Sequence, residues 1–265
     1  ILEKEKMNIS ELKNLAESLL ETFISAGQKA IELRNKGLKT TFKSDNSPVT
    51  NGDLEVDKLL KEKIIQSTPN IPLISEETVN LNNIKKYKNF WLVDPIDGTK
   101  EYINNQDEFT LNASLIIDLE PLIGIIYAPA KKRLFYSYGN GNSFEKFEQK
   151  KIRLICKKKT KLGEVHAVTH SFEPSSEVLK IHKKFNVKNF IKMKSSYKFC
   201  VIAAGEFDLY AAKARAYEWD IAAGHAILKH AGGIVTTLNG EEFKYGKTDY
   251  KNSDLLVRRS ENLER

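Results

Sequence analysis

Six consecutive residues, Asp94-Pro95-Ile96-Asp97-Gly98-Thr99, concentrate more usable chemistry than any other stretch of the chain. They supply two carboxylates, a backbone carbonyl between them, a glycine turn and a hydroxyl. Oxygen donors of this kind suit a hard divalent cation and a phosphate. Mg²⁺ takes near-octahedral oxygen ligands, often one or two carboxylates completed by phosphate oxygens. Further carboxylates stand at the ends of predicted elements: Asp53 and Asp220 where helices open, and Glu76, with Glu77 beside it, where a strand closes. Each has a plain structural reading as well. Asp53 and Asp220 suit helix N-caps, and Glu76-Glu77 suits a solvated pair. Gathered in one place without a cation, Asp94, Asp97 and Glu76 would repel one another and lose hydration. A pair of Mg²⁺ ions about 3.5–4 Å apart offsets that cost and clamps both the attacking and leaving oxygens of a phosphoryl transfer.

The surrounding elements show how such residues can be held. The apolar run Phe90-Trp91-Leu92-Val93 predicts a buried strand that delivers Asp94 to the end of a sheet, where α/β folds keep their chemistry. Helical spacing of Leu12, Leu15, Leu19, Leu20, Phe23 and Ile31 predicts a long first helix, capped by Ser10 and closed by Gly37. Lys43-Ser44-Asp45-Asn46-Ser47-Pro48 has loop composition. A second helix is expected to open near Asp53, with Leu54, Leu59, Leu60, Ile64 and Ile65 as its apolar face. Strands are predicted over 71–75 and 90–93, then over 110–117, 123–127 and 134–138 as an antiparallel succession. The second half alternates: strands over 166–169, 207–211, 234–238 and 254–257, and helices over 177–185, 197–204 and 220–231. The last helix ends at Gly232-Gly233, and Asn239-Gly240 predicts a tight turn. The basic stretch 146–161 suggests a boundary between an N-terminal α+β lobe, 1–150, and a C-terminal α/β lobe, 151–265.

Composition removes several classes of function. The chain has 265 residues, enough for one large core or two smaller lobes. No run approaches 18 apolar residues, so stable membrane insertion is not expected. The charged opening Ile1-Leu2-Glu3-Lys4-Glu5-Lys6 lacks the apolar centre of a secretory signal. Cys156 and Cys200 are too few for a disulfide framework, which points to a reducing cytoplasm. The net charge is +7, with clusters at Lys131-Lys132-Arg133, Lys150-Lys151 and Lys157-Lys158-Lys159. These clusters lack the interleaved aromatics of a base-stacking platform, so they read as solvated surface and not as a nucleic-acid interface. None of His166, His170, His182, His225 and His230 has zinc-site spacing.

Three segments occur together in a known order: Ile74-Ser75-Glu76-Glu77, Trp91-Leu92-Val93-Asp94-Pro95-Ile96-Asp97-Gly98-Thr99, and Trp219-Asp220-Ile221-Ala222-Ala223-Gly224. In these, over most of its length, the chain resembles the inositol monophosphatase superfamily of Mg²⁺-dependent, lithium-sensitive phosphatases. Three shorter segments narrow the resemblance. Thr99-Lys100-Glu101-Tyr102, Ser195-Ser196-Tyr197-Lys198-Phe199-Cys200 and Asn46-Ser47-Pro48-Val49-Thr50 are similar to those of the CysQ-type 3′(2′),5′-bisphosphate nucleotidases. Those enzymes remove the 3′-phosphate from adenosine 3′,5′-bisphosphate, a by-product of sulfate activation, and can act on its 5′-phosphosulfate relative.

The resemblance implies a layered αβαβα sandwich. It implies one Mg²⁺ on Glu76, Asp94 and the Ile96 carbonyl, a second on Asp94, Asp97 and Asp220, and a weaker third near Glu76. Metal-activated water is then the nucleophile, with Thr99 relaying a proton towards Asp53. Gly98 lets the backbone approach the phosphate, and Ser195, Lys198 and Glu218 join Gly98, Thr99 and Asp220 around the substrate. One departure stands out. Related bisphosphate nucleotidases often carry Pro-Arg after a Leu-Tyr pair, whereas this chain reads Leu209-Tyr210-Ala211-Ala212, so the arginine is missing at Ala212. Lys213 or Arg215 is expected to replace it. The same route implies a small phosphorylated nucleotide as substrate, a homodimer, and a cytoplasmic enzyme in at most loose contact with the inner membrane surface. Hydrolysis of inositol 1-phosphate or fructose 1,6-bisphosphate is the alternative within the class. Salt-sensitive, Mg²⁺-independent binding to duplexes is the alternative outside it.

Overall fold

The computed structural model describes residues 7–81, 85–156, 164–261 and 263. The charged opening segment and the Lys157-Lys158-Lys159 cluster lie outside these residues. The first helix, α1 (Ile9–Lys36), begins one turn-cap earlier than its apolar spacing suggests. Asn8, not Ser10, is the cap: its side chain accepts from the Ser10 and Glu11 amides at 2.9 and 3.0 Å, and Glu11 answers on the Asn8 amide at 2.8 Å. Gly37 closes the helix as expected. The segment read as loop is a hairpin of β1 (Thr40–Phe42) and β2 (Pro48–Thr50), which runs straight into α2 (Asn51–Ser67).

Next come β3 (Leu73–Ser75), β4 (Phe90–Asp97), α3 (Thr99–Ile103), β5 (Thr110–Ile117) and β6 (Glu120–Ala128). A 3₁₀ turn at Pro129–Lys131 leads to β7 (Arg133–Tyr138), β8 (Ser143–Phe147) and β9 (Lys150–Arg153). The seven strands pair in chain order, β3-β4-β5-β6-β7-β8-β9, and only β3/β4 is parallel. The second half adds β10 (Val165–Thr169), α4 (Ser176–Lys184), β11 (Val187–Lys192), α5 (Tyr197–Ala203), β12 (Leu209–Ala212), α6 (Glu218–His230), β13 (Ile234–Thr236) and β14 (Leu255–Arg258). These strands form a five-stranded sheet in the order β11-β10-β12-β14-β13.

Side-chain alternation turns the two sheets into five layers. One face of the seven-stranded sheet, with Trp91, Val93, Leu111 and Ile125, meets Leu19, Phe23, Val56 and Leu60 of α1 and α2. The opposite face, with Phe90, Leu92, Ile126 and Phe135, meets α5 and α6, which also cover Tyr210, Val235 and Val257 of the five-stranded sheet. The far face of that second sheet carries Val165, Ala167 and Leu209 against Val178 of α4. The order is therefore helix, sheet, helix, sheet, helix, the αβαβα sandwich. α6 lies in the middle, so nearly all of its length is buried. It approaches β6 very closely at Gly124, where a Cβ would come 2.4 Å from the Ala223 carbonyl oxygen.

Candidate active site

The Asp94 motif owes its shape to a break in register. β4 pairs with β5 as Asp94↔Asn112 and then Asp97↔Thr110, three steps on one strand against two on the other. This is a bulge, and Pro95, which has no N–H to give a ladder, sits inside it. On a regular strand, residues three apart face opposite sides. The extra residue reverses that parity, so Asp94 and Asp97 influence one another directly. β3 runs parallel to β4, and the Glu76 amide donates to the Val93 carbonyl at 3.1 Å, which sets Glu76 beside Asp94.

Asp220 arrives from the other half of the chain, in the first turn of α6. Glu76, Asp94 and Asp220 each present an oxygen within 4.8 Å of the others. Asp94 is 1% exposed, and its Oδ1 has no hydrogen-bond partner. Burial first, then the neighbouring carboxylates, holds the carboxyls of Asp94 and Asp220 well above the usual carboxylate range. A buried carboxylate oxygen without a donor, facing other carboxylates, is the surrounding of a cation ligand and not of a structural ion pair. An all-oxygen donor set of this kind fits Mg²⁺. Asp97 stands next to the trio and is tied elsewhere: its Oδ2 accepts from the Ser196 amide at 2.6 Å and the Ser196 hydroxyl at 2.7 Å.

Asp53 and Asp220 are positioned by the same local device. Each is the third residue of its helix and accepts from the N-cap amide, so neither is the N-cap itself; the caps are Thr50 and Tyr217. Asp53 Oδ2 accepts from the Thr50 amide at 2.8 Å, and Asp220 Oδ2 accepts from the Tyr217 amide at 2.8 Å. The second oxygen of Asp53, Oδ1, lies 3.2 Å from the Thr99 hydroxyl, which is also 3.1 Å from the Ile96 carbonyl. Burial raises the Asp53 carboxyl despite the opposing hydrogen bonds from Thr50 and Thr99. Gly98 has φ 94 and caps α3; a Cβ there would meet the Glu108 carbonyl at 2.9 Å.

A cavity of about 350 Å³ opens over this group and is lined on its acidic side by Glu76, Asp97 and Thr99. Its basic side carries Lys194, Lys198, Lys213 and Arg215. Ser195 adopts φ 54, a left-handed conformation uncommon for a residue with a Cβ. Its carbonyl accepts from Lys198 Nζ at 2.5 Å. Lys198 is 5% exposed and stands 5.1 Å from the centre of the Tyr210 ring. Burial pushes its ammonium down to about 8; Asp97 opposes the shift, while Arg215 and Lys194 add to it.

The inositol monophosphatase family profile matches residues 9–265. The chain belongs to the inositol monophosphatase family. Within this family it is 36% identical to the 3′(2′),5′-bisphosphate nucleotidase CysQ of Buchnera aphidicola, over 88% of each chain. It is 32% identical to the CysQ of Salmonella typhimurium, over 79% of this chain and 84% of that one. The crystal structure of CysQ from Bacteroides thetaiotaomicron superposes with a TM-score of 0.76 and 28% identity, covering 95% of this chain and 98% of that one.

Against this family background, sequence reasoning left several side chains at the site unremarked. Lys43 of the hairpin reaches Glu76 Oε1 at 2.8 Å and Glu77 Oε1 at 2.9 Å. Burial works against the Lys43 charge, and the two glutamates more than offset it, so the ammonium is held above its ordinary range. Glu77 stays outside the trio, and burial raises its carboxyl to about 7. Ser196 is a hub, donating to Asp97 and to the Asp220 carbonyl and accepting from Asn112 Nδ2 at 3.0 Å. Its place beside Ser195 at a helix start was the one available signal. Glu218 points elsewhere. Fully buried, it accepts from the Gly246 and Lys247 amides at 2.9 Å each and fastens that loop instead of lining the cavity. His225 meets the Tyr245 hydroxyl at 3.0 Å and His230 meets Ser137 Oγ at 2.9 Å, so both serve packing. Among the described residues, the candidate metal group contains no histidine. No helix among them is long and apolar enough to cross a membrane.

Proposed function

We propose that the chain is a Mg²⁺-dependent phosphatase that hydrolyses the 3′-phosphate of adenosine 3′,5′-bisphosphate and of its 5′-phosphosulfate relative. One observation carries the reading: a single cavity joins a carboxylate cluster, with its orphaned buried Asp94 oxygen, to a group of cations. A substrate with an anionic group at each of two positions matches both sides. The CysQ relatives support the nucleotide over other bisphosphates.

In this reading Glu76, Asp94, the Ile96 carbonyl, Asp97 and Asp220 hold two Mg²⁺ ions, with a weaker third near Glu76. When bound, Mg²⁺ supplies charge neutralisation at the phosphate and acidifies a coordinated water. The chain's own residues manage the proton. Thr99 Oγ stands between the cavity and Asp53 Oδ1, and the raised affinity of buried Asp53 for protons suits a terminal acceptor. Asp53 Oδ2 remains tied to Thr50, so the accepting oxygen is fixed in place. Gly98 keeps the α3 entrance free of a side chain where the phosphate must approach. On the other side, Ser195 orients Lys198 towards the second anionic group.

The reading includes a homodimer, a reducing cytoplasmic setting and inhibition by Li⁺. Phosphate release from adenosine 3′,5′-bisphosphate, inositol 1-phosphate and fructose 1,6-bisphosphate, each with Mg²⁺ and with EDTA, tests it. The bisphosphate nucleotide is expected to turn over fastest and only with Mg²⁺. Faster turnover of inositol 1-phosphate would overturn the substrate assignment.

A further inference from the structure

The basic side of the cavity contains the answer to the arginine missing at Ala212. Ala212 is 2% exposed and lines the cavity with a methyl group, so it offers no charge. Lys213 is the nearest cation in sequence, but its Nζ is held by Glu177 Oε1 at 2.6 Å. Arg215 is different. It lines the same cavity as Lys198 and is exposed, and its charge acts on Lys198 and His170. Among the described residues no carboxylate forms an ion pair with either Arg215 or Lys198, whereas Lys194 has only Glu101 at 3.9 Å. Lys198 Nζ stands over the ring of Tyr210, and Tyr210 lines the same cavity as Arg215.

Two cations that line one cavity, neither ion-paired among the described residues, form a receptor for a compact anion. A guanidinium forks onto two oxygens of a phosphate, while an ammonium acts as a point charge. The Ser195 carbonyl fixes the ammonium. We infer that Arg215 is the specificity-determining residue of this chain, gripping the second phosphate or phosphosulfate of the substrate together with Lys198, and that Lys213 takes no part. This rests on the proposed bisphosphate nucleotidase reading. It assigns to a loop residue, three positions along the chain, the charge that Ala212 does not provide.

The test compares kcat/KM for adenosine 3′,5′-bisphosphate with that for adenosine 2′-monophosphate, which has no second phosphate. Arg215→Ala is expected to lower the ratio of the two tenfold or more, chiefly through KM for the bisphosphate. Arg215→Lys should recover part of the loss, and Ala212→Arg placed on Arg215→Ala should recover most of it. Lys213→Ala should leave the ratio within twofold. An unchanged ratio in Arg215→Ala, or a larger fall in Lys213→Ala, overturns the inference. A wild-type enzyme that does not prefer the bisphosphate overturns the underlying substrate reading instead, so the two failures are distinguishable. Because Arg215 is exposed, its replacement removes no core contact.

Discussion

The two sides of the cavity are built to opposite electrostatic plans. On the acidic side, the buried Asp94 is crowded by the half-buried Glu76 and Asp220 and keeps an oxygen with no donor. On the basic side, the buried Lys198 sits over an aromatic ring and the exposed Arg215 lines the same cavity. The acidic side comes mostly from regular elements, β4, the end of β3 and α6. On the basic side Lys194 stands in the turn before α5, Lys198 in the first turn of α5, and Arg215 in the loop after β12. Chemistry that must hold to fractions of an ångström sits on the rigid scaffold, and recognition sits where side chains can be exchanged.

The largest effect should come from Asp94→Asn. Removing the central carboxylate is expected to lower kcat at least about 10³-fold, since metal stabilisation of a phosphoryl transition state amounts to several kcal/mol. The same change should stabilise the metal-free protein. Asp94 and Asp220 titrate above their ordinary value near 4, so the stability tied to their protonated forms is present below pH ~4 and is lost as pH rises through their folded values. In EDTA at neutral pH, thermal denaturation of Asp94→Asn should lie about 3 °C or more above wild type. Added Mg²⁺ should raise the wild-type midpoint and leave the variant unmoved. A variant less stable than wild type in EDTA would mean that the cluster is a structural device and not a metal seat.

Thr99→Val keeps shape and removes the hydroxyl between the cavity and Asp53. Loss of a proton relay typically costs about 10²-fold in kcat, and KM should stay within about twofold; a rise in KM alone would assign Thr99 to binding. On the basic side the expected effect is smaller and shows in KM. The Lys198 ammonium is pushed down to about 8, so KM for a bisphosphate should climb as pH rises through that value. Lys198→Arg should flatten the climb, because arginine stays charged throughout. A pH-independent KM in wild type would detach Lys198 from the substrate. Smallest of all is Glu218→Gln, where turnover should stay within about twofold. Loss of a buried charged acceptor of two amides should lower the melting point by about 3 °C.

Much of the scaffold was legible because its signals are strong. The apolar run before Asp94, the spacing along α1 and the Gly232-Gly233 stop each corresponded to an element close to where it was expected. The elements that escaped are edges. β9, at one edge of the seven-stranded sheet, is exposed at every position and reads Lys-Lys-Ile-Arg, and β11, at one edge of the five-stranded sheet, has no fully buried residue. Lysine on an edge protects against pairing with another chain and hides the strand from a hydrophobic count. β8 was masked differently, because its Glu145 is buried only by virtue of the distant Arg133. At the site, the carboxylates could be named from motif and element ends. Lys43 could not, since a hairpin lysine acquires meaning only when the fold lays it 33 positions away on Glu76. Glu218 shows the converse: adjacency to a functional pair says nothing about the direction of a side chain that two loop amides have already claimed.

The paired fasteners at the heads of α2 and α6 have a practical corollary. Asp53 and Asp220 each hold their own helix start with one oxygen; the other oxygen of Asp53 meets the Thr99 hydroxyl, and Asp220 lines the cavity. An asparagine keeps an oxygen to latch the first turn but surrenders the negative charge, whereas an alanine unlatches the turn as well. Amide replacements at these two positions therefore dissect reactivity from architecture, and truncations cannot.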